Sequence, residues 1–528
     1  MAAAVGRPLR AALRQAEERL AILVAGTALL VLAGAPLVAL LAEIAAGWQQ
    51  ALAVLASARP FTLLLHSLAI ALAVTALSLG FGIPLGVLVG MSDARGRGPA
   101  VLLHAFPVFL PPFLLALGWF QVLGARGLAG SPRSSGYLFG EAGVVFVLAA
   151  TFTPIVTILV AIGLQALDPS LEEAARVSAR PARVIARILL PASAPAIALA
   201  GLLVFSLSLS ELGVPMFLRV DSFPAAVFAR LGGVDYAPGE AFALVLPLVP
   251  VALALLVLER RFVGTRSFAV LGLRSQWRER LPLGPWRGPL SAALWLSAAV
   301  SLTPVAALVW RGAAGGGFAA VGSWLGRAPW NSLWTAGAGA TLIVAIGLVV
   351  GHAVARRAKG ARALDTLCVL SFVAPAGVLG VGVIAVWNRP ALQWVYGSAW
   401  ILVVGYVAHY AVIGVRTIGS LLAQTSIHIE EAAATVGAGF WRRMSRILVP
   451  LHARGIGFAW LLALVFCLRD LEMAVLYYPA GGEPLTVRLF TLEANGPEPV
   501  VAALAVVHVV ITAALLGLGG FALRRTTV

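Results

Sequence analysis

Apolar runs near 20 residues long recur from one end of this 528-residue chain to the other. Wound as an α-helix at about 1.5 Å per residue, such a run crosses the roughly 30 Å hydrocarbon layer of a bilayer. Lipid offers no water to backbone polar groups, so spanning segments must be helices or a closed barrel. Barrel strands would be shorter and would alternate apolar with polar residues; these runs do not alternate. The expected fold is therefore an all-α polytopic membrane protein. Composition agrees, with 60% hydrophobic and 11% charged residues against about half apolar in a soluble domain.

The runs give about 12 spans, near 20–46, 64–90, 99–124, 142–167, 192–218, 239–259, 288–311, 331–355, 364–387, 398–422, 453–478 and 499–523. The net charge of +16 reads as loop arginine that sets topology, not as a nucleic-acid surface. Arginines crowd the even-numbered connections: Arg95 and Arg97, Arg176 to Arg187, Arg260 to Arg287, Arg356 to Arg362, and Arg442 to Arg454. That bias places both termini on the cytoplasmic side. Arg7, Arg10, Arg14 and Arg19 precede the first run as in a signal peptide, but the run continues to about Ile44 and reads as a retained helix. Cys368 and Cys467 lie in apolar segments and read as core residues.

Three landmarks recur at a nearly constant offset. His66-Ser67-Leu68 and Asn331-Ser332-Leu333 stand 265 residues apart, Glu173 and Glu431 stand 258 apart, and Ser210-Glu211-Leu212 and Arg469-Asp470-Leu471 stand 259 apart. The chain reads as two parallel six-helix repeats: a first half over residues 1–262, a basic cytoplasmic linker at 263–287, and a second half over 288–528. Prolines inside spans, such as Pro107, Pro111 and Pro112, read as tolerated kinks.

Two polar islands occupy matching places. The second begins Glu430-Glu431-Ala432-Ala433, passes Gly437 and ends Ile447-Leu448-Val449-Pro450. Acids favour a helix N-terminus, alanines propagate the helix, and the glycines allow a tight turn before a second short helix. The first island begins Glu172-Glu173-Ala174-Ala175, has Ala179 where the glycine is expected, and closes on Pro191 one residue early. Each reads as a helix-turn-helix knob on the membrane surface, suited to a cytoplasmic partner.

The pattern Glu431-Ala432-Ala433, Gly437, Ile447 and Pro450 resembles the EAA loop of bacterial ABC importer permeases. The resemblance implies a type I importer-like fold in the bacterial inner membrane, with each loop docking into an ATPase subunit and Glu173 and Glu431 making the acidic contact. It implies two copies of that ATPase and a periplasmic or lipid-anchored substrate-binding protein. ATP and Mg²⁺ would belong to the ATPase, because the only lysine, Lys359, lies between Ala358 and Gly360 and no Walker A motif can be built. No cofactor is expected on this chain, and no catalytic constellation or metal-binding spacing emerges. Within the spans, Ser206, Ser210 and Glu211, with Arg469, Asp470 and Glu472, are candidates for a gate or substrate-facing ring, and His409 is a candidate cavity residue. The two-half chain, Ser210 to Pro215, Arg469-Asp470-Leu471 and Leu476 to Pro479 resemble fused ferric-iron permeases, which makes iron the favoured substrate. Related permeases serve thiamine, phosphonate, sulfate or polyamines. A secondary transporter would share the repeats but would not need two EAA loops.

Overall fold

The computed structural model describes residues 2–168, 170, 181–232, 243–244, 246–263 and 280–525. Helices dominate the described backbone, and no strand occurs among the described residues beyond one isolated bridge between Ser92 and Leu281. In chain order the main helices are α1 (Ala2–Leu29, carried on by a π turn at Leu30–Gly34 and a helix over Ala35–Ala46), α2 (Arg59–Met91), α3 (Arg97–Ala105), α4 (Pro112–Leu123), α5 (Glu141–Gln165), α6 (Ala194–Ser210) and α7 (Leu248–Leu258). The second half continues with α8 (Arg287–Ala314), α9 (Ala328–Ala355), α10 (Ala361–Val373), α11 (Ala376–Trp387), α12 (Trp400–Ala423), α13 (Ile427–Thr435), α14 (Ala453–Arg469), α15 (Leu485–Glu493) and α16 (Glu498–Arg525).

Seven of the described helices are long and apolar enough to cross a membrane, and four sharply bent pairs raise the number to as many as 11. The chain is thus an all-helical, multi-pass membrane protein. The expected span at 239–259 is represented by α7 alone, since residues 233–242 and 245 lie outside the described set.

Two expected spans are not continuous. The span at 99–124 breaks by 108° between Phe109 and Pro112, and the span at 364–387 breaks by 111° between Val373 and Ala376. Proline explains both. It removes a backbone donor and drives the preceding residue out of the helical region. Leu110 before Pro111 and Ala374 before Pro375 are accordingly extended, with ψ of 152° and 132°. Both are breaks; at Pro111 and Pro112 the sequence alone predicts only a kink. Both segments start after a left-handed glycine, Gly96 at φ 65° and Gly360 at φ 81°.

The expected spans 192–218 and 453–478 also end early, at Ser210 and Arg469. At each end an acid turns extended, Glu211 at ψ 124° and Asp470 at ψ 125°. Its carboxylate then accepts a backbone N–H from the following short helix: Val214 to Glu211 at 3.2 Å, Ala474 to Asp470 at 3.1 Å. At their other ends α6 and α14 each follow a π turn, Ile185–Leu189 and Met444–Leu448, and bend by 67° and 86°.

The two halves are built alike in packing as well. Gly82 and Gly86 on α2 press against α5, where a Cβ on Gly82 would lie 2.5 Å from the Val156 Cβ. Gly347 and Gly351 on α9 press against α12, where a Cβ on Gly347 would lie 2.6 Å from the Gly414 backbone. Small residues four apart let helices approach closely where apolar burial gives no driving force in lipid. Ser67 accepts the Phe223 N–H at 2.8 Å, and Ser332 accepts the Leu485 N–H at 2.7 Å. Each serine ties the second helix of its half to the segment beyond the fifth. The apolar core runs across the halves: Ala21 to Ala33 of α1 and Leu110 to Leu117 pack in one cluster with most of the second half.

Candidate functional site

The second polar island folds as α13, a turn, and a helical segment over Phe440–Leu451 that bends into α14. Ser426 caps α13 by accepting the His428 N–H at 3.3 Å, which satisfies one of the unpaired donors at a helix start. Gly437 takes φ 93°, a conformation that costs a side-chain-bearing residue energy, and it closes the turn. Gly439 leaves room for Glu17, whose carboxylate oxygen would lie 2.3 Å from an added Cβ.

The two leading acids have opposite surroundings. Glu430 is buried and held by His352 Nε2 at 2.9 Å, Arg356 Nε at 2.8 Å and Arg356 Nη2 at 2.7 Å, with Arg443 Nη1 at 3.4 Å. Burial alone would push its carboxyl up, but the hydrogen bonds and charges of His352 and Arg356 outweigh that and hold it down at about 2. Glu431 points outward, its side chain 59% exposed, and pairs with the exposed His428 at 2.9 Å. Successive helix residues point about 100° apart, so one acid faces in and its neighbour faces out. Ala432 is exposed, Ala433 and Ile447 are half-buried, and Pro450 is exposed. Ile427, Ile429, Val436 and Trp441 of the same loop are also exposed, so it carries apolar as well as acidic surface.

The first half's N-terminal helix braces this loop. Glu17 accepts the Phe440 N–H at 3.1 Å, and Glu18 pairs with Arg443 at 3.0 Å. Of the first island, Glu172, Glu173, Ala174, Ala175 and Ala179 lie outside the described residues, while Pro191 is exposed in a short helix over Leu190–Ala192.

A second constellation lies where the halves meet. Ser206, Ser210, Glu211, His409, Arg469 and Glu472 line one small internal cavity with Phe372, Tyr410 and Phe466. Six of the seven span residues singled out from sequence therefore converge. Asp470 stands one step back, accepting the Tyr410 hydroxyl at 2.7 Å. Arg469 donates to the Val108 carbonyl and lies over the Phe152 and Phe466 rings at 5.9 and 5.4 Å. Ser206 donates to the Val373 carbonyl at 3.4 Å. Each fifth helix thus reaches a carbonyl at the proline break of the opposite half, a backbone acceptor that an unbroken helix would not offer. His409 donates from Nδ1 to the Ser371 carbonyl at 3.0 Å and stacks on Phe372, which fixes its ring beside the cavity.

A third cluster was not legible from sequence. Arg416 makes a bidentate pair with Asp365 at 2.8 and 3.0 Å and also pairs with Glu259. Arg260 reaches Asp365 at 3.0 Å and Thr366 at 2.7 Å. Glu259 and Arg260 end the first half, while Asp365 and Arg416 belong to the second, so a buried ion network clamps the two together. The available signal was an acid in each apolar run, Glu259 and Asp365, whose burial demands a cation.

Residues 82–263 match the family model described as "Binding-protein-dependent transport system inner membrane component". The chain carries a permease domain of the binding-protein-dependent ABC family. A protein of Haemophilus influenzae, provisionally named a ferric transport system permease protein, is 25% identical over 65% of this chain and 59% of its own length. A ferric transport system permease protein of Actinobacillus pleuropneumoniae is 23% identical over 65% of this chain and 54% of its own length. A protein of Salmonella paratyphi A, provisionally named a 2-aminoethylphosphonate transport system permease protein, is 31% identical over 27% of this chain and 53% of its own length. The permease thus spans a little over half the length of these relatives. The matched domain covers the first half from α2 to the end of the described helix after α7.

Proposed function

We propose that this permease is the membrane subunit of an ATP-driven ABC importer in the bacterial inner membrane. It takes substrate from a binding protein on the outer side and releases it to the cytoplasm by alternating access. The single observation that carries the reading is the division of labour between Glu430 and Glu431. The buried acid fixes α13 to α9 through His352 and Arg356, and the exposed acid stands on an apolar knob. A rigidly held projecting helix transmits force; a loose loop does not. In this reading α13 is one coupling helix, Glu172 to Pro191 forms the other, and each docks on one copy of a partner ATPase that binds ATP and Mg²⁺. Both termini and the 263–287 linker lie on the cytoplasmic side, as the arginine bias favours.

The cavity between α6 and α14 is the gate in this mechanism. ATP-driven closure of the ATPases moves the coupling helices, and the halves hinge where Arg469 and Ser206 cross to the opposite proline breaks. Ferric iron is the favoured substrate, on the names of the two relatives that align with 65% of the chain. A phosphonate is the second reading, favoured by the higher identity, over a shorter stretch, to the aminoethylphosphonate permease.

The test is purification with the neighbouring P-loop ATPase and a panel of loaded binding proteins. The ferric reading expects the iron-loaded protein to stimulate ATP hydrolysis severalfold and a phosphonate-loaded one to leave it at the basal rate. Stimulation by none of them, with transport persisting without the ATPase, would leave a secondary transporter.

A further inference from the structure

At the end of the molecule opposite α13, a cavity of about 370 Å³ opens between the halves. That volume is in the range of small-molecule sites, and the proposed coupling mechanism makes no use of it. Its walls carry Phe120, Phe139 and Phe217 from the first half, with Gln121, and Arg219 and Glu493 face it from the two halves. It lies where α4 ends, where α8 ends and where α16 begins, the depth at which lipid headgroups meet a bundle.

Arg219 is held there against its own backbone preference. The helix over Gly213–Phe217 closes with Val220 N–H bonded to the Pro215 carbonyl at 2.8 Å and Arg219 N–H to the Met216 carbonyl at 3.2 Å. This is the two-bond helix ending whose left-handed position usually carries glycine. Arg219 occupies it at φ 58°. Strain of this kind persists where the side chain is needed. The guanidinium lies 5.6 Å from the Phe139 ring centroid and, among the described residues, makes no ion pair. Glu493, on the facing wall, also has no ion pair or side-chain hydrogen bond among them. Burial raises its carboxyl above the ordinary range, and only the field of Arg219 pulls it back. The remaining acid, Glu498, is already paired with Arg311.

Among the described residues, one cation and one anion therefore face the cavity without an ion pair, coupled only through the field of Arg219 on Glu493, and the aromatic side chains share its walls. A simple anion would leave Glu493 without a partner, and a simple cation would leave Arg219 without one. A small molecule with both charges satisfies both, its anionic oxygens on the Arg219 fork and its ammonium between Glu493 and the rings. We propose that this cavity binds a phosphate- or phosphonate-ammonium zwitterion of the ethanolamine type. Two sources share that chemistry: the headgroup of phosphatidylethanolamine, and a free solute such as 2-aminoethylphosphonate. The inference is independent of the coupling assignment, and loss of ATP-driven uptake would not touch it.

The full-length permease in phosphatidylglycerol nanodiscs supplies the test. Retention of added phosphatidylethanolamine is read by native mass spectrometry, and binding of 2-aminoethylphosphonate, inorganic phosphate and ethanolamine by calorimetry. Arg219→Gly relaxes the backbone and removes the cation, so its melting temperature holds or rises while zwitterion binding falls at least tenfold. Glu493→Gln keeps the shape, lowers zwitterion affinity at least tenfold and leaves that for phosphate unchanged. Retention of the lipid alone assigns the site to the membrane, and binding of the solute alone assigns it to a free ligand. Binding of neither, affinity for phosphate equal to that for the zwitterion, or binding indifferent to both substitutions would overturn the proposal.

Discussion

At the end of α6 the chain reads Ser210-Glu211-Leu212, and at the matching place in α14 it reads Arg469-Asp470-Leu471. The backbones do the same thing: helix ends, acid turns extended, and the carboxylate caps the next short helix. The side chains do not. Glu211 faces the shared cavity, whereas Asp470 turns to Tyr410 and Glu472 takes the second half's place on the cavity wall. Arg469 supplies a cation where the first half has a hydroxyl. The frame is duplicated to the level of single hydrogen bonds, while the chemistry at the junction is one-sided. Both halves line the same cavity there from different sides, so they are free to differ at the residues that line it.

That contrast can be broken by paired substitutions. Arg469→Ala removes the charged hydrogen bond to the Val108 carbonyl and the contacts over the Phe152 and Phe466 rings, which costs about 3 kcal/mol. Ser210→Ala at the matching place costs about 1 kcal/mol or less. Thermal melting of the purified chain separates the two, and equal losses would mean that the junction is symmetric after all. The next largest effect is on the loop. Glu430→Ala removes charged hydrogen bonds from His352 and Arg356 and costs about 1.5–3 kcal/mol, read in the same melts, whereas Glu431→Ala leaves melting unchanged. The pH dependence follows from the sign of the shift. With the Glu430 carboxyl depressed from 4.5 to about 2, its stabilisation is complete above about pH 4.5 and disappears as pH falls through 2. A Glu430→Gln variant should therefore lose the acid sensitivity of the loop over that window. The smallest effects test the frame itself. Ser67→Ala and Ser332→Ala each remove one serine–backbone bond and should each cost about 1 kcal/mol. A several-fold inequality between them would show that the halves are less alike than their hydrogen bonds suggest.

Much of this architecture was legible in the sequence, for definable reasons. Spanning helices announce themselves by length and apolar content. The cavity residues were legible because an acid or arginine inside an apolar run is costly unless it faces something polar. Three features were not. Pro111 reads as a kink and Pro375 carries no reading, because sequence alone does not say whether a neighbouring helix repairs the broken ladder; here Arg469 and Ser206 reach the carbonyls instead. The inward turn of Glu430 depends on His352 in the last turn of α9 and Arg356 just past its end, 78 and 74 residues away in sequence. The clamp of Arg416, Asp365 and Glu259 joins residues from both halves, so no local pattern contains it.

The central claim is that Glu431, with its counterpart Glu173, passes the work of ATP hydrolysis to this permease. It is tested most directly by ATP-driven uptake in proteoliposomes containing the permease, its ATPase and the loaded binding protein, with Glu173→Arg and Glu431→Arg introduced singly and together. The expected result is an uptake loss of tenfold or more for Glu431→Arg and complete loss for the double variant, with melting temperature and membrane insertion unchanged. Normal uptake by the double variant would contradict the account.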